Sequence, residues 1–221
     1  MPRSPIRMLL LAAALVFLIT FIQLGILTIA FDKLGLSSDS ATLLFIAILA
    51  GSMLNLPLFS VQSSLPAKKE DDAPAVLFPG LIRPLPFTGK THIVVNVGGC
   101  VIPVAFCIYL LRHHPLSYPH LLIGITAVTL LSYSTSRRLP GVGIGMPILL
   151  APIAAALVAV ALDPQQAAPL AYISGTLGVL IGADLLHLRD IRELGVPFAS
   201  IGGAGSFDGI FLTGIVAVLL A

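Results

Sequence analysis

The chain has 221 residues, 57% of them hydrophobic and only 10% charged, with a mean hydropathy of +1.04. Ordinary soluble domains are about 25% charged, so charge is too scarce here to cover a water-facing surface, which excludes soluble enzymes, coiled coils, disordered tails and secreted disulfide scaffolds. The net charge of +2, from twelve Lys and Arg against ten Asp and Glu, gives no basis for nucleic-acid binding, and the expected partner is the lipid bilayer.

Crossing the hydrocarbon core takes about 20 mostly apolar residues. The first apolar run, 8–31, follows Arg3 and Arg7 as a signal peptide would, but it is long and lacks a small-x-small cleavage site, so it reads as a transmembrane helix. Further runs at 41–61, 92–111, 119–135, 141–162, 169–188 and about 205–221 complete seven spans. The expected fold is all-α: a polytopic helix bundle forming a single integral membrane domain over 1–221. Cys100 and Cys107 fall two turns apart on the third span, too distant to bridge. Pro147 and Pro152 predict a kink in the fifth. The connection 62–91, with its KKEDD run and prolines, reads as a long cytoplasmic loop.

Cytoplasmic segments hold an excess of Lys and Arg. With the N-terminus inside, ten of the twelve fall in the cytoplasm and only Lys33 and Arg112 outside. The expected location is the cell (inner) membrane, multi-pass, with the C-terminus outside. Tyr109, Tyr118 and Tyr172 then mark the outer interface and Tyr133 the inner one.

Two stretches share an order of features. ILAGSMLNLPLF (48–59) precedes VVNVGGCVIP (94–103), and VLIGADLLHLRD (179–190) precedes FASIGGAGSFDG (198–209). In each pair a helix ends near Gly-small-x-Leu and the returning one opens on Gly-Gly. A 3+1+3 parallel repeat accounts for this; so does the abundance of Gly and Leu in membrane helices.

Ionisable groups within a bilayer are costly and mark function. Asp184 lies about 22 Å into the sixth span and Asp208 about 20 Å from the outer end of the seventh, at 1.5 Å per residue, so the two carboxylates match in depth. Asn55, Asn96 and His187 fall at the same level, with His92 below, and together outline a polar chamber open to the cytoplasm. Glycines crowd its approaches in PGVGIG (140–145) and GGAGSFDG (202–209), where Gly203, Gly205 and Gly209 expose backbone N–H groups that suit a substrate, an ion or an ionised Asp208. Neither run follows a strand as a nucleotide fingerprint does, and no cofactor is expected. Asp184, His187 and Asp208 number three potential ligands, but Asp-x-x-His is a weak metal signal and no metal is expected.

The residues GADLLHL (182–188) and SIGGAGSFDGIF (200–211), with PGVGIG upstream, resemble a bacterial and archaeal membrane family catalogued as domain of unknown function 1614. That resemblance implies membership and carries no activity. The chain is also similar in outline to intramembrane aspartyl proteases of the presenilin and prepilin-peptidase kind, which use one aspartate on each of two helices. Here the Gly-x-Gly-Asp spacing and a Pro-Ala-Leu motif are absent. Phe207-Asp208-Gly209 is similar to the Leu-Asp-Gly segment of site-two metalloproteases, without their His-Glu-x-x-His motif.

Two close carboxylates in a low-dielectric site do not both ionise readily, so one keeps its proton. That suits activation of water against a peptide bond, and the first expectation is an aspartate-dyad intramembrane hydrolase, Asp184 and Asp208 catalytic, acting on a membrane-embedded peptide. The alternative is a proton- or cation-coupled transporter of a small solute.

Overall fold

A computed structural model of the chain describes residues 25, 28–66, 87–139, 143–203 and 206–221, with 206–209, 211 and 212 described by their backbone alone. The expected first span, up to its last turn, and most of the 62–91 connection lie outside these residues. The described chain is mostly helical.

Helix α1 (Ser38–Ser52) is capped by Ser37, whose hydroxyl accepts the Ser40 N–H at 3.3 Å, with Asp39 in the first turn. It stops well short of the expected end of its span, because Pro57 cannot continue a helix and biases the residue before it toward extended backbone. The chain instead forms strand β1 (Asn55–Gln62), an edge strand where proline is tolerated. Strand β2 (Lys90–Asn96) pairs antiparallel with it, from Asn55 opposite Asn96 to Gln62 opposite Lys90. A π-helical segment, Val97–Val101, then leads into α2 (Ile102–His113). Helix α3 (Tyr118–Thr135) ends at a small hairpin of β3 (Arg137–Leu139) and β4 (Gly143–Gly145). Helix α4 (Leu150–Leu162) is followed by α5 (Ala167–Val179), which runs into a second π-helical segment, Leu180–Leu185. Strand β5 (Phe198–Ile201) precedes α6 (Ser206–Leu220).

These elements correct the all-α expectation. The second and third apolar runs are each part helix and part strand, because a short β-branched run such as Thr91–Val95 has no period that separates buried strand from buried helix. The expected kink at Pro147 and Pro152 is absent as well. Pro147 precedes α4 and Pro152 lies in its first turn, where no intrahelical N–H is required.

The helices alternate in direction. At one end His114 lies with Nδ1 3.2 Å from Gln166 Oε1 and Nε2 3.3 Å from the Leu34 carbonyl, while Lys33 donates to the Val218 carbonyl at 3.3 Å. These bonds gather three connections and the tail of α6. The strands occupy the opposite end, where Thr91 donates to the Val196 carbonyl at 2.7 Å.

Helix α5 is central, packed on α3, α4 and α6, with eleven of its 13 residues buried, as an apolar-all-round sequence requires. Together with its π segment (Ala167–Leu185) it is the one stretch among the described residues long and apolar enough to cross a membrane. Tyr172, expected at the outer interface, is buried against Phe106 at a ring distance of 5.0 Å. Facing α5, Thr213 is fully buried and its hydroxyl has no partner among the described residues. Thr213→Val keeps the shape and removes the orphaned group, so it is expected to stabilise the fold by about 1 kcal/mol, read as a higher midpoint of thermal unfolding in detergent.

Candidate functional site

The site grows from a repeated junction. Strands β2 and β5 run parallel and adjacent, from His92 opposite Phe198 to Val95 opposite Ile201. Each leads through a Gly-Gly pair, Gly98-Gly99 or Gly202-Gly203, into an ascending helix. The two junctions touch at backbone level: a Cβ on Gly99 would stand 1.8 Å from the Gly202 carbonyl oxygen. Gly202 also has φ +68°, which L side chains rarely adopt. Glycine is therefore required on both sides of the contact.

Asp184 is brought to this point by the π-helical segment after α5. Leu186 N–H bonds back five residues to the Ile181 carbonyl at 2.9 Å, and the extra residue per turn rotates the succeeding residues relative to α5. The carboxylate is buried, and its Oδ2 accepts the Gly202 N–H at 2.7 Å. A charge-assisted bond of this kind fixes the carboxylate's orientation. Four residues after Gly202, α6 begins, with Asp208 and Gly209 in its first turn. The bond thus holds Asp184 at Gly202, four residues ahead of the helix that bears Asp208. The Asp208 side chain and Gly205 lie outside the described residues and atoms.

Asn96 holds the other junction. Its Nδ2 donates to the Ser52 carbonyl at 2.7 Å and to Asn55 Oδ1 at 3.2 Å, while its Oδ1 accepts the Gly99 N–H at 2.7 Å. Ser200 donates to Asn55 Oδ1 at 3.1 Å. The structure therefore brings Asn55, Asn96, Asp184 and Gly202-Gly203 together, with Gly203 closing the turn by donating to the Ser200 carbonyl at 3.2 Å. Asn96 is buried and fully engaged, so it acts as a clamp between α1, β1 and the π-helical segment Val97–Val101. Asn96→Ala is expected to cost about 2–4 kcal/mol, since it strands a buried N–H and a carbonyl, measurable as a lowered unfolding midpoint.

His187 serves a different contact. Its Nδ1 is 3.0 Å from the Gly182 carbonyl, its ring lies 4.8 Å from that of Tyr133, and Nε2 is 4.0 Å from Asp190. None of these bonds reaches Asn55, Asn96 or Gly202. Arg138 of β3 pairs with Asp190 and Glu193, tying the hairpin to the same segment. Among the described residues no group of three His, Cys, Asp or Glu stands close enough to hold a metal ion. Sequence reasoning missed Ser200 and the Gly202 N–H; the only signal was a serine two residues ahead of the Gly-Gly pair.

Fold and site together define an α-helical bundle closed at one end by a small mixed sheet, with a buried carboxylate where that sheet feeds the last helix. The chain belongs to the family described as protein of unknown function DUF1614, whose profile matches residues 49–220. No curated protein and no solved structure matches it.

Proposed function

We propose that this is a multi-pass protein of the cell membrane, and that Asp184 and Asp208 form the proton-sharing pair of an intramembrane hydrolase open to the cytoplasmic side. The observation that carries this reading is the Gly202 N–H bond to Asp184. It fixes a buried carboxylate at the foot of the helix that bears the second one. One carboxylate would activate water as a base while the other protonates the leaving group.

The membrane reading is supported by large apolar side chains left exposed on the helices, among them Leu43, Leu122, Leu130 and Leu157 at 63–68% exposure. The alternation of helix directions and the ten-to-two division of Lys and Arg agree with an N-terminus inside and a C-terminus outside. A reporter fused near Arg137 should then read cytoplasmic and one fused after Ala221 external.

A second reading, proton- or cation-coupled transport, is favoured by one observation: the two strand–Gly-Gly–helix junctions lie side by side in parallel, as a parallel repeat would place them. Access separates the two. With Cys100 and Cys107 replaced, Asn55→Cys should react with a membrane-impermeant thiol reagent from the inner face only. Labelling from both faces, switched by pH, would overturn the hydrolase and support transport.

A further inference from the structure

Successive residues of a parallel strand turn their N–H and C=O groups to alternate sides. His92 N–H donates to the Pro197 carbonyl at 2.9 Å. With His92 opposite Phe198, this phase points Pro197, Ala199 and Ile201 at β2 and turns the backbone groups of Phe198, Ser200 and Gly202 to the other side. Gly202 fits that phase, because its N–H leaves the sheet to reach Asp184. Among the described residues β5 is the edge of its sheet, with no strand on that side, and Phe198 is 50% exposed.

We propose that this edge receives the substrate: an extended, apolar polypeptide segment of another membrane protein, laid along β5 as an added strand. The consequence for catalysis rests on the hydrolase reading, whereas the binding geometry rests on β5. Positions facing one edge recur every two residues, about 6.6 Å apart. After Phe198 and Ser200 the next such position is Gly202, where the Asp184 carboxylate stands in place of a neighbouring strand. A peptide paired with both outward groups of Phe198 and with the Ser200 N–H, the Ser200 carbonyl being held by Gly203, therefore delivers its next peptide group to that carboxylate, at the foot of the helix bearing Asp208.

Lipid cannot satisfy such an edge, since it offers no hydrogen bonds, and an intact helix has spent its own backbone groups internally. The substrate must unwind to bind. This selects membrane segments rich in Gly and β-branched residues over those rich in Ala and Leu, a substrate class defined by weak helicity.

The test uses the full chain in liposomes and a synthetic apolar peptide of about 20 residues, Gly/Val-rich in its inner third and carrying a photo-crosslinker there. Wild type and Asp184→Asn should both capture this probe at β5. Phe198→Pro and Ser200→Pro each remove one outward donor and keep the bonds to β2, and each should reduce capture about tenfold. Should the proline variants fail to fold, the same probe N-methylated at alternate residues of that third should be captured about tenfold less by the unaltered protein. Equal capture by the proline variants or of the methylated probe overturns the proposal, as do crosslinks confined to β1 or to a second copy of the chain. Probe cleavage reports separately on the hydrolase: capture without cleavage removes that reading and leaves the edge standing, and cleavage indifferent to Phe198 and Ser200 does the reverse.

Discussion

Gly99→Ala is expected to prevent folding, or to cost well over about 4 kcal/mol. The added methyl would sit 1.8 Å from the Gly202 carbonyl oxygen, and the obstacle is backbone on both sides. A flexible side chain could swing away; here relief requires β2 and β5 to separate, which dismantles the parallel ladder and draws Gly202 away from Asp184. Gly202→Ala should be comparably severe, since its Cβ would lie 2.7 Å from the Gly99 oxygen and its φ of +68° disfavours any side chain. Gly25→Ala is the control: none of the described residues lies within 4 Å of the new methyl, and alanine in a helix gains up to about 1 kcal/mol over glycine. Yield of monodisperse protein and the thermal midpoint in detergent decide the matter. A Gly99→Ala protein as stable as wild type would mean that the two junctions do not touch as described.

Asp184→Asn and Asp208→Asn should each lower hydrolysis of a membrane-embedded peptide by at least about a thousandfold, with the double variant no worse than either single one, as for a pair that shares one proton. The asparagine at 184 can still accept the Gly202 N–H, so its loss of activity should come with a near-normal unfolding midpoint. Asp184→Ala removes the acceptor too and leaves that buried N–H unsatisfied, at a further cost of about 1–3 kcal/mol. Comparing the two variants separates chemistry from architecture. Additive partial losses from Asp184→Asn and Asp208→Asn would assign the aspartates independent structural roles.

Much of this site is legible in the sequence, since costly groups announce themselves: an aspartate in an apolar run, two asparagines at one depth, a Gly-Gly pair used twice. Asn55 and Asn96 do meet, but as opposite residues of paired strands rather than as the ends of two membrane helices, which is what counting residues along helices suggests. The strands were not legible. Leu56, Leu58 and Phe59 look like one more stretch of membrane helix, and Pro57 is the one letter that argues otherwise. Nor could the donor to Asp184 be read, because a backbone N–H has no letter of its own. Tyr172 was misplaced for the opposite reason: a tyrosine near a span's end resembles an interface anchor until the helix beside it proves to be packed on every side.

The parallel pairing of β2 with β5 also sets an order in time. Asn55 and Ser200, which bond across the junction, are 145 residues apart, and Thr91 and Val196 are separated by 105. A ribosome completes α1 through α5 before the strand that finishes the sheet exists, and Gly202 follows Asp184 by 18 residues. During synthesis at about 5–20 residues per second, the carboxylate waits in a bundle that lacks its donor, and the junction closes only as the final helix is made. Chains abandoned before residue 198 therefore carry the acid without the Gly202 donor that orients it.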